Sequence, residues 1–187
     1  MRIIGGNFKG KKIFDALDKK TRPLKDLIKE SIFNILEHSK NEKIKIDSAI
    51  VLDLFSGTGS FGLECISRGA GKITFVEKDK NAAEILKKNL KNLDIKKNAT
   101  IIMDEIENFL KKGVSEKFEI IFLDPPFADE SYLQELKLIK QNNNYKKNHL
   151  IIIHRERRSF ENFENILSPI ITKQYGRSKI IFGKFLR

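Results

Sequence analysis

The sequence predicts a doubly wound, Rossmann-like α/β fold with a mostly parallel sheet, and three observations carry that reading. From Ala49 onward, short runs that are apolar at nearly every position alternate with helical segments. Strands of that kind are buried on both faces, as in a parallel sheet covered by helices on each side. The first run leads into the glycine turn Gly57-Thr58-Gly59-Ser60-Phe61-Gly62. The fourth ends in Asp124-Pro125-Pro126-Phe127, at the strand end where open α/β sheets bind their ligands.

Residues 1–14 alternate apolar and basic stretches around Gly5-Gly6 and Gly10, which predicts a small hairpin. Leu24, Leu27, Ile28, Ile32, Ile35 and Leu36 recur at three- and four-residue intervals, so residues 24–38 are expected to form an amphipathic helix with Pro23 at its start. Residues 41–47 read as a polar connector, which divides the chain into an N-terminal hairpin-helix extension, 1–47, and a main domain, 48–187. In the main domain, strands are expected at 49–55, 72–77, 99–103, 118–124 and 150–154, with helices at 60–68, 81–93, 105–112 and 130–140. Residues 170–175 and 179–185 read as a closing antiparallel hairpin across Gly176, and the asparagine- and lysine-rich stretch 141–147 as a solvated loop.

Composition narrows the function classes. A chain of 187 residues suffices for one substantial core with small appendages. Cys65 is the single cysteine, and His38, His149 and His154 are scattered, so neither an intramolecular disulfide nor a zinc-type ligand cluster is expected. No apolar run has the length of a signal peptide or a membrane span, and the expectation is a soluble cytoplasmic protein. The formal net charge is +11. Residues 1–47 hold 12 basic against 7 acidic side chains, 48–144 hold 14 against 15, and 145–187 hold 10 against 3. Two basic ends flanking a near-neutral centre suggest an electropositive face for a polyanion, although a lysine-rich solvated surface has the same composition.

The glycine turn is a cofactor motif. Gly57 and Gly59 allow tight backbone geometry near a ligand, and Gly62 allows close helix-to-strand packing. Glu77 ends the second strand 24 positions after Asp53, where an acid can accept hydrogen bonds from ribose hydroxyls. Asp53, inside the strand end before the glycines, would repel a diphosphate and favour a cationic methionyl group, which points to S-adenosylmethionine over a nicotinamide cofactor. Asp104 closes the third strand and is suited either to an adenine amino group or to capping the following helix. Phe55, Ser56, Lys78 and Glu105 complete the candidate cofactor set.

At the fourth strand, two consecutive prolines make a rigid turn without backbone donors, which would hold the Asp124 carboxylate and the Pro125 carbonyl against a substrate amino group. Phe127 offers a face for an unstacked base. Asp124, Pro125, Pro126 and Phe127 are the candidate catalytic residues, and Lys11, Lys12, Arg22 and Arg157 the candidate substrate contacts. Arg155 and Arg158 read either as phosphate ligands or as solvated charge, and His154 either as a contact to the base or, more commonly for a lone histidine at a strand end, as a structural residue.

Asp124-Pro125-Pro126-Phe127 resembles the motif of amino-methylating nucleic-acid methyltransferases. With Met1-Arg2-Ile3-Ile4-Gly5-Gly6, Thr21-Arg22-Pro23, Glu30-Ser31-Ile32-Phe33-Asn34, Leu52-Asp53-Leu54-Phe55-Ser56-Gly57-Thr58-Gly59 and Phe75-Val76-Glu77-Lys78-Asp79, the chain resembles the RsmD family. The resemblance implies a class I methyltransferase fold with a seven-stranded sheet. It also implies S-adenosylmethionine as cofactor, and N2-methylation of a guanine in bacterial 16S ribosomal RNA, naked or within a partly assembled small subunit, by a monomeric enzyme. Departures are local: Leu24-Lys25-Asp26-Leu27 replaces the usual Thr-Thr-Asp-Arg, and His154 stands where the fifth strand commonly ends in glutamate. From the residues alone, a DNA adenine-N6 methyltransferase, an NAD-dependent oxidoreductase and a non-catalytic RNA-binding module stay open.

Overall fold

The computed structural model describes residues 1–15, 26–38, 45–95 and 97–186. Its seven strands form one sheet: β1 (Ile50–Leu54), β2 (Lys72–Val76), β3 (Ala99–Ile102), β4 (Phe118–Leu123), β5 (Tyr145–Glu156), β6 (Leu167–Tyr175) and β7 (Ser178–Phe185). They lie in the order β3-β2-β1-β4-β5-β7-β6. The first five run parallel, and β7 inserts antiparallel between β5 and β6. Chain order reverses between β1 and β4, so a crevice opens beyond their carboxyl ends, the usual ligand position in such sheets.

Side chains alternate across each strand, and this divides the core in two. Val51, Ile120 and Phe122 face α1 (Asp26–His38), α2 (Ser60–Ser67) and α3 (Lys80–Asn92). Leu52, Leu54, Ile121 and Leu123 face α4 (Ile106–Lys111) and α5 (Tyr132–Gln141). On the first side Phe33, Phe61 and Phe122 stack in series, with centroid separations of 5.4 and 4.0 Å. None of the helices among the described residues is long and apolar enough to cross a membrane.

Residues 1–15 are fastened to α2 and α3 by buried polar groups. The Glu64 carboxylate accepts from the backbone N–H of Ile4 at 2.9 Å and Gly5 at 2.7 Å and from Arg68 Nε at 2.9 Å, with Lys29 Nζ 3.7 Å away. Lys29, fully buried on α1, donates to the Arg2 carbonyl at 2.6 Å. Asn89 on α3 accepts from Phe14 N and donates to the carbonyls of Phe14 and Thr58, which joins the N-terminal segment to the glycine turn.

The expected N-terminal hairpin is present and short: Arg2 and Lys12 form an antiparallel bridge, Ile3 N donates to the Lys11 carbonyl at 3.0 Å, Gly10 N to Ile3 O at 2.9 Å and Ile13 N to Met1 O at 3.0 Å, and a 3-10 turn at Gly6–Phe8, with Gly6 and Gly10 at positive φ, closes the loop. Two expectations change in detail. The stretch 141–147 is not all loop: β5 starts at Tyr145 opposite Phe118, and a register shift then leaves 146–149 out of register with β4 before pairing resumes at Leu150. His149 stabilises this bulge by accepting from Phe185 N at 2.9 Å and donating through Nδ1 to the Lys146 carbonyl at 2.8 Å. β6 begins at Leu167 and runs through Pro169, which an edge strand tolerates with a register shift at that point. The start of the first helix at Leu24, and most of the 41–47 connector, lie outside the described residues.

Candidate active site

A cavity of about 440 Å³ opens at the carboxyl ends of β1, β2, β3 and β4. Its floor is built by the glycine turn. Phe55, Gly57 and Gly59 all have positive φ, and at Gly62 a Cβ would sit 2.2 Å from the Phe75 ring. With no side chain there, the Gly62 N–H reaches Asp53 Oδ2 at 2.9 Å, so strand end and helix start are joined by a buried hydrogen bond. Asp53 is 1% exposed, and burial, opposed by the Gly62 N–H and reinforced by the charges of Asp124 and Glu77, pushes its carboxyl well above the usual range.

Glu77 holds the turn from the other side, accepting from Gly57 N at 2.7 Å and from Asp79 N at 2.8 Å. A carboxylate has about four lone-pair sites, so two remain for a ligand. Asp104 accepts from Glu105 N, Asn108 Nδ2 and Lys112 Nζ at 2.8, 3.0 and 2.6 Å, and these partners hold its carboxyl down at about 2. Lys78 and Glu105 pair at 3.3 Å across the rim.

At the far wall, Asp124 Oδ1 meets His154 Nδ1 at 2.8 Å, and the His154 ring stands edge-on to Phe127 with centroids 5.6 Å apart. Pro125 is buried and Pro126 exposed. Arg155, buried on β5, donates to the carbonyls of Pro126 and Phe127 at 3.1 and 3.0 Å and lies over the Tyr132 ring. This corrects the reading of Arg155 as a possible phosphate ligand: its guanidinium is spent inside the molecule, fixing the turn after β4.

Among the described residues the cavity wall is strongly acidic, with nine carboxyl side chains and Lys78 as the one cation. Such a lining favours a cationic ligand over a diphosphate. Ser56 Oγ, Ser60 Oγ and Glu135 Oε2 are buried in this wall with no hydrogen-bond partner among the described residues, and an unmet polar atom at a cavity surface calls for a ligand that meets it. The donor set therefore fits the adenosyl and methionyl ends of S-adenosylmethionine. Among the described residues no group of three histidine, cysteine, aspartate or glutamate side chains is arranged to hold a metal ion.

A model of the family described as conserved hypothetical protein 95 matches residues 1–184. The chain belongs to this family, the RsmD family. It is 38% identical over 159 residues to the ribosomal RNA small subunit methyltransferase D of Haemophilus influenzae, covering 84% of this chain and 79% of that one. It is 33% identical to the putative rRNA methyltransferase YlbH of Bacillus subtilis, over 84% and 83%. A putative methyltransferase from Escherichia coli has the same fold, with a TM-score of 0.81 at 27% identity over 99% of this chain and 97% of that one. The fold is thus that of a class I methyltransferase, as predicted.

In this RsmD-family chain, Asp53, Phe55, Ser56, Gly57, Glu77, Lys78, Asp104 and Glu105 line the same cavity as Asp124, Pro125, Pro126 and Phe127. Gly59 lies beneath it as the residue preceding α2. Lys11, Lys12 and Arg157 are exposed and outside it, and Arg22 lies outside the described residues. Sequence reasoning missed Ser60, Asp79, Asp129, Ser131 and Glu135 in the wall. Glu135 had a signal: it falls on the apolar stripe of Tyr132, Leu136 and Ile139, where an acid is out of place unless it has work to do.

Proposed function

We propose that the protein transfers the methyl group of S-adenosylmethionine to the exocyclic N2 amine of a guanine in small-subunit ribosomal RNA. Family membership supports a methyltransferase, and the relatives' names supply the RNA. The observation that carries the reading is the meeting, in one acidic cavity, of the glycine turn with the Asp124-Pro125-Pro126-Phe127 wall.

The cofactor would supply an electrophilic methyl on a cationic sulfur. Asp53 and Glu77 would face its charged and ribose portions, with Ser56 and Ser60 available to hydrogen-bond it. An exocyclic amine is a weak nucleophile because its lone pair is delocalised into the ring. Asp124 and the Pro125 carbonyl would accept its two N–H bonds, favour a pyramidal nitrogen and stabilise the positive charge that grows there. His154 occupies Asp124 Oδ1, which leaves Oδ2 to meet the amine. Phe127 would support the base once it leaves its stack, at a cost of a few kcal/mol that is smallest for an unpaired nucleotide. Lys11, Lys12, Arg22 and Arg157 would contact phosphates outside the acidic cavity, and a partly assembled subunit would present the target loop.

The test is to incubate unmodified small subunits, and naked RNA in parallel, with the protein and labelled cofactor, then digest the RNA for nucleoside mass spectrometry. Label in N2-methylguanine supports the reading. Label in N6-methyladenine, or only in DNA, overturns the guanine assignment.

A further inference from the structure

Phe160 is 91% exposed, in the turn that leaves β5. A lone exposed apolar side chain needs no explanation by itself. Here, however, the backbone on both sides is pinned. Ser159 donates through its backbone N–H to the Glu156 carbonyl at 3.1 Å, its single hydroxyl hydrogen is shared between that carbonyl at 2.6 Å and Glu161 Oε1, and its own carbonyl accepts from Lys179 Nζ. Glu161 turns inward, its side chain 5% exposed, and accepts from Ser159 Oγ and from Lys179 Nζ at 2.5 Å each, with Arg155 Nε 3.7 Å away. Two buried cations and a hydroxyl thus hold the residue after Phe160 down, and the aromatic ring is left standing in water.

The surroundings say what the ring meets. Arg157 and Arg158 precede it and are exposed. Of the acids near it in the chain, Glu161 is paired beneath the turn, Glu156 pairs with Arg177 at 3.6 Å, and Glu164 is exposed. The segment exposes an aromatic ring within three residues of two exposed arginines, a composition suited to single-stranded nucleic acid bound by stacking and phosphate contact without reading sequence. It is also mechanically joined to the reaction site. Arg155, which approaches Glu161 from one side of its guanidinium, donates from the other to the carbonyls of Pro126 and Phe127.

We propose that the turn 157–161 is a second base-binding platform: Phe160 stacks on an unpaired base flanking the target nucleotide, Arg157 and Arg158 take the adjoining phosphates, and Glu161 with Arg155 fixes the platform relative to the catalytic turn. This rests on the RNA methyltransferase reading. The catalytic turn then receives one base while the platform grips its neighbour, which keeps the strand from sliding.

The experiment compares Phe160→Ala, Phe160→Leu and Phe160→Trp in the full chain, by anisotropy with a fluorescent single-stranded oligonucleotide and by methylation of small subunits. Because the side chain is exposed, none of these changes removes core packing. The Ala and Leu variants should weaken oligonucleotide binding and raise KM for subunits roughly ten-fold, and Trp should restore both, with kcat and cofactor affinity unchanged. Equal behaviour of wild type and Ala overturns the proposal. Rescue by Leu as fully as by Trp also overturns it, in favour of an apolar contact with a ribosomal protein. If the wild type binds the oligonucleotide through Phe160 yet methylates no ribosomal RNA, the platform stands and the methyltransferase substrate reading falls.

Discussion

His154 Nδ1 lies 2.8 Å from Asp124 Oδ1, in a pocket where the histidine is 4% exposed and its Nε2 has no partner. A carboxylate only accepts, so Nδ1 carries the proton and donates. The bond stops rotation of the acid that faces the cavity. His154→Leu keeps similar bulk but frees the carboxylate, and kcat should fall on the order of ten- to a hundred-fold, the scale of a small misplacement at a reacting centre. His154→Asn, whose amide can stand near the Nδ1 position, should recover part of it. Cofactor affinity, measured by calorimetry, should stay within a few-fold for both. Unchanged kcat in the leucine variant removes His154 from the site.

Asp124 separates acceptance from charge. Asp124→Asn keeps one carbonyl oxygen, which can face the amine when the neutral His154 carries its proton on Nε2 and Nδ1 accepts from the new amide, whereas Asp124→Ala keeps neither acceptor nor charge. Single-turnover methylation should drop by about two orders of magnitude or more for alanine and by less for asparagine, with cofactor binding nearly intact, since the group acts mainly in the transition state. Equal losses in the two variants would mean that charge, not hydrogen-bond acceptance, is what the reaction needs.

The parts of this site that were legible in the sequence are those whose local chemistry is unusual. A glycine turn after an apolar strand and an acid before two prolines mark themselves. Arg155 does not, because a run of Arg155-Glu156-Arg157-Arg158 looks solvated, and only the antiparallel pairing of β5 with β7 buries its first member. Tyr145 was hidden similarly, among polar residues that lie out of register with β4. Glu64 was readable in principle: α2 is buried along almost its whole length, so a charged residue within it must find partners. Which partners those were, 59 and 60 positions away in the chain, no local pattern could say.

Those partners make Glu64 a stability determinant. Its carboxylate has no exposure and holds the backbone of Ile4 and Gly5, Arg68, and the neighbourhood of buried Lys29. Glu64→Ala strands a buried ammonium, whose pKa burial already lowers, together with two backbone donors. The variant should lose about 3–5 kcal/mol of unfolding free energy. Urea titration reads this as a lower midpoint, and a shift worth less than about 1 kcal/mol would contradict the assignment.

Glu135 gives the unliganded protein a pH dependence of definite sign. Burial first, then the charge of Asp129, pushes its carboxyl from 4.5 up to about 7, with Lys78 partly opposing. The folded state therefore keeps a proton that the unfolded chain releases, so this contribution is present in full below about pH 4.5 and is lost as pH rises to about 7. Glu135→Gln should remove a decline of up to roughly 3 kcal/mol across that window. Urea unfolding of both proteins at several pH values isolates the residue, because the other carboxyls titrate in each. Parallel curves would show that Glu135 ionises normally in the fold.

The last prediction concerns how RNA is held outside an acidic cavity. The described lining of the cavity is acidic and disfavours phosphate, so affinity has to come from exposed cations outside it, among them Lys11 and Lys12 on the N-terminal loop and Arg157 beyond β5. Each phosphate neutralised releases counterions, and binding should fall steeply and log-linearly with salt. Reversing Lys11, Lys12 or Arg157 to glutamate should weaken binding at low salt and reduce the slope by about one for each phosphate left without its cation. The same changes should leave cofactor affinity alone, since none of the three lines the cavity. Filter-binding titrations from about 50 to 200 mM salt, a range over which a protein neutralising several phosphates loses orders of magnitude in affinity, read the slope directly. A slope identical to that of the wild type in all three variants would place the RNA on another face of the protein.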